Sequence, residues 1–292
     1  MSILFAALCA LSYGAADYAG GRATRSLDVR AVLLLSQSVG FVGISLVALA
    51  LGQPLPAPVD AAWGAAAGLS GVLGLGMLYY GLSIGAAAVV SPTAALVGTG
   101  APIIAGLLLG ELPTLTAWLG IALSIPAILL LSLSRLGAWK LDRRSLLFGA
   151  VAGIGFGGFF ILIDRLGEGS GFWPLAASRI ASLAAVSLLL ALRLRSWSGG
   201  GSPTTPDELE RAPGKLGRAR AVAAVAGILD VAANAFFLLA TRVGLLITSA
   251  VVSSLYPAPT VLLARTIDRE RLGVRRVVGL LLALAGVSLM AI

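Results

Sequence analysis

The fifty residues from Ala61 to Gly110 contain no Asp, Glu, Lys or Arg. A soluble domain covers its surface with about 25% charged residues; this chain of 292 has 12%. The hydrocarbon core of a bilayer, about 30 Å thick, takes roughly 20 apolar residues in helical form. The run is therefore long enough for two membrane spans. Ala31 to Leu51 and Val243 to Ala264 are uncharged as well. Unpaired backbone is not tolerated in lipid, which leaves a helix bundle or a closed barrel. A barrel alternates apolar and polar residues in segments of about ten. These runs are contiguous and rich in Leu and Ala, so the spans are helices.

Ten spans are expected, near 2–20, 29–51, 60–83, 89–109, 114–134, 145–164, 174–192, 219–241, 245–264 and 273–291. The apolar N-terminus lacks a basic region before it and a small-residue cleavage site, so it reads as the first span. A polar loop rich in Gly, Ser and Pro is expected near 193–220. Eighteen of the 21 Lys and Arg fall in the gaps on one side of these spans, and only Arg165 and Arg242 on the other. The positive-inside rule places the basic side in the cytoplasm and both termini outside, in a bacterial inner membrane. The same clustering sets aside nucleic acid as a partner, despite a net charge of +8. Cys9 is the only cysteine and there is no histidine. Intrachain disulfides, cysteine metal clusters and histidine relays are thereby removed, and no cofactor or metal is expected. An enzyme would need a catalytic cluster at the membrane surface, and the loop acids are scattered.

The chain repeats itself. Shifted by 159 residues, Gly85–Gly120 lies on Gly244–Gly279 without a gap, matching Leu96 to Leu255, Gly98 to Pro257 and Glu111 to Glu270. A shift of 143 lays Tyr13–Arg22 on Phe156–Arg165. Two repeats of five spans follow, at 1–136 and 137–292. Five is odd, so the second half enters the membrane inverted, the architecture of secondary transporters with a midplane site between halves. Spans four and nine are equivalent, and both carry Pro, Gly and hydroxyl residues. Breaks are expected in both. They either line a wet cavity or kink the helices for packing.

These features resemble the drug/metabolite transporter superfamily, in particular its EamA-type exporters with ten spans. The resemblance rests on Gly110-Glu111 and Arg269-Glu270, each followed by a helix carrying Leu119-Gly120 or Val278-Gly279, and on Ser12–Tyr18, where the family usually has Trp-Gly in place of Tyr13-Gly14. It implies an all-α bundle of ten helices around a central cavity and alternating access. It also implies export of amino acids or other small metabolites, with drugs or organic cations as the alternative. Members that carry organic phosphates place Lys or Arg in the cavity; here Lys140 and Lys215 fall in expected loops and Arg179 stands alone. The four-span multidrug members keep a Glu in mid span one, whereas Asp17 lies near the basic end.

Candidate substrate residues follow from polarity inside spans. Asp230 falls near the centre of span eight, where a carboxylate costs roughly 2.5–3.5 kcal/mol and usually faces a cavity. Asn234 is one turn on. It takes part in binding or in a hydrogen bond between helices. Arg179 sits about 9 Å away along the membrane normal at 1.5 Å per residue. It pairs with Asp230, brackets a zwitterion with it, or snorkels to the interface. Ser249, Ser253, Tyr256 and Thr260 form a polar stripe on span nine, facing either a cavity or a packed helix. Tyr13 and Asp17 share a face of span one, and Phe156 and Phe160 the equivalent face of span six. Thr99 stands between Gly98 and Gly100 in span four. Gly149, Gly153 and Gly157 read as a close-packing stripe. The expected partners are a small molecule and the bilayer. A monomer suffices for this architecture. A scaffold that transports nothing stays open.

Overall fold

The computed structural model describes residues 1–83, 87–133, 142–191 and 213–292. Among them the regular elements are helices: α1 (Ser2–Ala23), α2 (Val29–Ala50), α3 (Pro58–Ser83), α4 (Ala87–Leu108), α5 (Leu115–Ser132), α6 (Arg143–Asp164), α7 (Trp173–Ala191), α8 (Pro213–Arg242), α9 (Leu246–Ser253), α10 (Pro257–Ile267) and α11 (Val274–Met290), with a 3-10 turn at Glu168–Ser170. Eight stretches are long and apolar enough to cross a membrane, α9 and α10 counting as one, and α7 adds a shorter apolar helix. At 17 residues, α11 reaches about 25 Å at 1.5 Å per residue. The helices fall on the ten expected spans, with most ends displaced by a few residues. The largest shift is at α8, which starts at Pro213, inside the expected polar loop. Proline suits a first helical position because its missing N–H has no partner to lose there. Lys215 thus lies in a helix. The rest of that loop and the expected junction at 136/137 lie outside the described residues.

Only one of the two expected breaks forms. The ninth span divides at Ser254–Tyr256 into α9 and α10, whereas α4 runs through Pro92 and Pro102 as one helix. Spacing explains the difference. Pro257 and Pro259 stand two apart, so the carbonyls of Ser253 and Leu255 both lose their usual donor. They bond instead to Tyr256 N at 3.3 Å and Ala258 N at 2.9 Å, a tighter i to i+3 pattern. In α4 the prolines are ten apart, and each removes one bond from a ladder that recovers before the next.

Helices from the two halves alternate in space. α1 packs on α8 and α6 on α3; α2 packs on α8 and α7 on α3; α4 packs on α6, and α9 with α10 on α1; α5 packs on α11. Exchanging each span for the one five later maps this pairing onto itself. The turns agree: Gly110 (φ 83°) and Arg269 (φ 55°), 159 residues apart, are both left-handed. The expected glycine stripe is the α4–α6 contact. A methyl group added at Gly153 would lie 2.8 Å from the Ala94 carbonyl oxygen, and one at Gly157 2.9 Å from that of Gly98.

The end of the bundle holding the N-terminus is tied by hydrogen bonds to backbone. Gln53 accepts from Phe172 N at 2.7 Å, and its carbonyl from Trp173 Nε1 at 3.0 Å. Asp60 accepts from Gly167 N at 2.8 Å. Glu111 accepts from Leu246 N at 2.6 Å and Ile247 N at 2.9 Å. It thus caps α9 from the other half of the chain, satisfying donors that have no partner in their own helix.

Two outcomes test this packing. Gly153→Ala overlaps backbone and should cost about 1–3 kcal/mol, read as a lower unfolding midpoint in detergent. Gly43→Ala, with nothing within 4 Å of the added carbon, should leave the midpoint unchanged or raise it. Glu111→Ala should cost about 0.5–2 kcal/mol, the usual loss on removing a cap. It should also speed hydrogen exchange at the Leu246 and Ile247 amides, which a non-capping carboxylate would leave alone.

Candidate functional site

The site starts from the faces of α1 and α8. In α1 the exposed apolar residues include Leu4 and Leu11, which mark its lipid side. At about 100° per residue, Asp17 lies roughly 140° round from Leu4 and 120° from Leu11, on the side with Tyr13. It is nonetheless exposed. In α8, Val225 and Ile228 are exposed, and Asp230 points about 140–160° away from them. Its side chain is still 34% exposed. Two carboxylates thus face the bundle interior and remain accessible there.

Arg179 and Asp230 pair directly, Nη1 to Oδ2, at 2.6 Å. The same Nη1 donates to Gln37 Oε1 at 2.7 Å. One guanidinium therefore joins α7 to α8 and α2, and it is 5% exposed. Its Nε and Nη2 are buried with no hydrogen-bond partner among the described residues. One turn along α8, Asn234 accepts from the Tyr13 hydroxyl. The Tyr13 ring meets Phe160 at 6.4 Å and Tyr256 at 6.3 Å, both edge to face, the arrangement ring quadrupoles prefer. Phe160 in turn lies 4.3 Å from Phe237. Tyr256 stands at the break between α9 and α10, and Gly14 lets α1 enter there: a methyl group at Gly14 would lie 2.5 Å from the Tyr256 carbonyl oxygen.

Seven of the sequence candidates thus gather in one region: Tyr13, Asp17, Phe160, Arg179, Asp230, Asn234 and Tyr256. Asp17 lies within electrostatic reach of Asp230, Tyr79 and Tyr256. Ser253 is fully buried beside the Cys9 thiol. Thr99 and Phe156 sit apart. The Thr99 hydroxyl donates to Ala95 O of its own helix at 2.8 Å, a local bond that Thr makes readily in helices. Phe156 fills the space beside Gly74 and Gly98. The rest of the ninth-span stripe is packing against α1: Ser249 meets Ser2 at 3.1 Å, and Thr260 donates to Gly14 O at 3.0 Å.

Sequence reading missed Gln37 and the capping role of Glu111. Gln37 is the amide in the otherwise uncharged run Ala31–Leu51, a usable signal. Tyr79 of α3 also lies within electrostatic reach of Asp17 and Asp230.

Comparison with known proteins follows this geometry. Among curated proteins none matches by sequence. One solved crystal structure superposes with a TM-score of 0.73 at 16% identity, covering 99% of this chain and 95% of that one; at that identity the likeness concerns fold. The family profile of EamA-like transporters matches residues 1–133 and 143–292. With this match over nearly its whole length, the multi-pass membrane protein belongs to the EamA-like transporter family.

Proposed function

We propose that this protein exports small amphipathic metabolites, foremost amino acids with neutral or aromatic side chains, by alternating access across a bacterial inner membrane. One observation carries the reading. The Arg179–Asp230 pair and the Tyr13–Asn234 bond face a chamber built by helices of both halves. A buried charge pair gains little stability over apolar packing of the same shape. Its presence in a bundle that could be wholly apolar points to use. Arg179 keeps two nitrogens unmatched among the described residues, and five donors in a planar fork suit a carboxylate. Asp230, partly exposed, is positioned to take an ammonium. The aromatic wall of Tyr13, Phe160 and Tyr256 fits an apolar side chain.

The halves, taken as 1–136 and 137–292, are the units that rock. The site lies within one chain, so a monomer suffices. Both termini are read as outside, because eighteen Lys and Arg fall in the sequence gaps expected on the other side. Export of organic cations is a second reading, and the exposed Asp17 favours it.

Purified protein in liposomes should exchange labelled for unlabelled substrate from an amino-acid panel; silence across the panel and across organic cations would leave a scaffold. Asp230→Asn should abolish exchange, although it strands a buried guanidinium and can also unfold the bundle. The double variant Arg179→Gln with Asp230→Asn removes both charges and should fold. It stays inactive if the pair binds substrate, and recovers if the pair is only a clasp. Orientation has its own check. Ser202→Cys, outside the described residues, should react with an impermeant maleimide in inside-out vesicles and not in intact cells.

A further inference from the structure

Glu111 does more than cap a helix. It stands just past the end of α4 and accepts from the Leu246 and Ile247 amides that open α9, at 2.6 and 2.9 Å. It therefore ties span four to span nine at the end of the bundle holding the N-terminus. Gly106 makes the tie possible: a methyl group there would lie 2.4 Å from Ile247 Cγ1 and 2.6 Å from Glu111 Oε2. At the arginine-rich end, where α4 begins and α10 ends, the two spans take other neighbours. α9 packs on α4, whereas α10 packs on α1, α5 and α11. Glu270 stands there with its side chain 48% exposed, and its carboxylate meets Arg276 of its own half at 3.2 Å.

The repeat supplies the parts of a second tie at that end. The shift of 159 that lays Glu111 on Glu270 also lays Leu246 and Ile247 on Ala87 and Ala88, the first two residues of α4. The first amides of a helix have no acceptor within it, and the helix dipole favours a carboxylate beside them. The turns that carry the two glutamates are built alike. The bond from Leu109 N to Ala105 O at 3.0 Å recurs from Asp268 N to Ala264 O at 3.1 Å. Gly110 and Arg269 are both left-handed. An arginine takes that conformation only at a cost, so the turn is kept where its residue does not favour it. Side-chain volumes are exchanged too. Large Ile247 nests on Gly106, and the same shift pairs small Ala88 with large Arg265.

We infer that Glu111 and Glu270 are alternating latches, positioning residues for transport. Here Glu111 holds spans four and nine together at the N-terminal end. In the opposite state Glu111 lets go, and Glu270 leaves Arg276 to take the Ala87 and Ala88 amides. One carboxylate on two backbone donors replaces another, so the two states stay close in free energy and both can be populated. The latches rest on the alternating access proposed above and name the bonds that it exchanges.

Amide hydrogen exchange of the full chain in nanodiscs tests the pair, because exchange at Leu246 and Ile247 follows the population in which Glu111 is off them. Glu270→Ala removes the competing latch from the far end. It should slow exchange at Leu246 and Ile247 roughly 2- to 30-fold, the range that follows from losing one cap. Arg276→Gln frees Glu270 and should speed exchange at the same two amides. Glu111→Ala should slow exchange at Ala87 and Ala88. A glutamate that serves only its surface pair with Arg276 would move none of these distant amides. Asp142→Ala, on an exposed carboxylate that caps nothing, should leave them all alone. Unchanged exchange at Leu246 and Ile247 in Glu270→Ala, with a parent-like unfolding midpoint, overturns the inference. So does a shift of the same sign in Glu270→Ala and Arg276→Gln. Liposome exchange reads the two proposals apart. Reciprocal amide shifts with no solute movement keep the latches and sink the exporter reading. Solute movement at the parent rate in Glu270→Ala, with its amides unchanged, keeps the exporter and removes the latches.

Discussion

The structure turns on a defect: two prolines standing two residues apart in the ninth span. Pro257 and Pro259 take two donors from one turn, and the chain answers with shorter i to i+3 bonds at Ser254–Tyr256. The helix splits there into α9 and α10. In lipid such a turn would need cover, because unmatched backbone has no water to turn to. α1 supplies it. Gly14 presents no side chain and sits against the Tyr256 carbonyl, while Thr260 donates to the Gly14 carbonyl at 3.0 Å. This docking fixes the height of α1 against the second half. It thereby fixes Tyr13 against Tyr256, and the Tyr13 hydroxyl on Asn234. The polar centre follows from how the break is covered.

The charges obey a different logic. Arg179 and Asp230 must meet, because either alone would be an uncompensated ion in a medium of low dielectric. Gln37 adds a neutral acceptor from a third helix. One guanidinium thus sets the positions of α2, α7 and α8 together. Its arrangement is incomplete, with Nε and Nη2 unmatched among the described residues. Buried polar groups in folded proteins are nearly always paired, and unpaired ones tend to mark places where something else binds. The family assignment says transporter; in the export proposed above, this local deficit is where a solute would have something to gain.

Much of this was legible in the sequence, and the limits have physical causes. Spans could be placed because hydrocarbon thickness dictates helix length, whatever the neighbours do. The inward face of Asp230, Asn234, Tyr13 and Asp17 could be read because a polar side chain facing lipid is too costly to keep. The glycine stripe announced close packing, but its partner, the Ala94 and Gly98 carbonyls of α4, depends on which helices become neighbours. The same holds for Glu111, which reaches donors 135 residues away. The unbroken α4 was a misreading of local chemistry. Counting prolines suggested a break, whereas their separation along the helix decides whether one forms.

The two ends of the bundle arise from equivalent turns yet are held by unlike bonds. At the N-terminal end, Gln53, Asp60 and Glu111 grip backbone amides of the other half. Backbone donors are fixed in place, so these bonds order few side chains and resist separation. At the arginine-rich end, the described links between halves include Arg22 to Asp268 at 2.6 Å, with the arginine side chain 44% exposed. Glu270, the counterpart of Glu111, is half exposed and pairs with Arg276 inside its own half. Exposed pairs between long side chains contribute at most about 1 kcal/mol, since water and entropy offset the attraction. Among the described residues this end also holds one bond to backbone across the halves, from Arg275 to the Leu133 carbonyl. Asp17, the deepest exposed carboxylate, lies six residues from that end of α1. In the export proposed above, the end held mostly by exposed ion pairs would be the one to part first. In the alternating access proposed above, the reverse step would transfer the strong bonds and not merely break them. The left-handed turns at Gly110 and Arg269 give both halves the same backbone from which to make them.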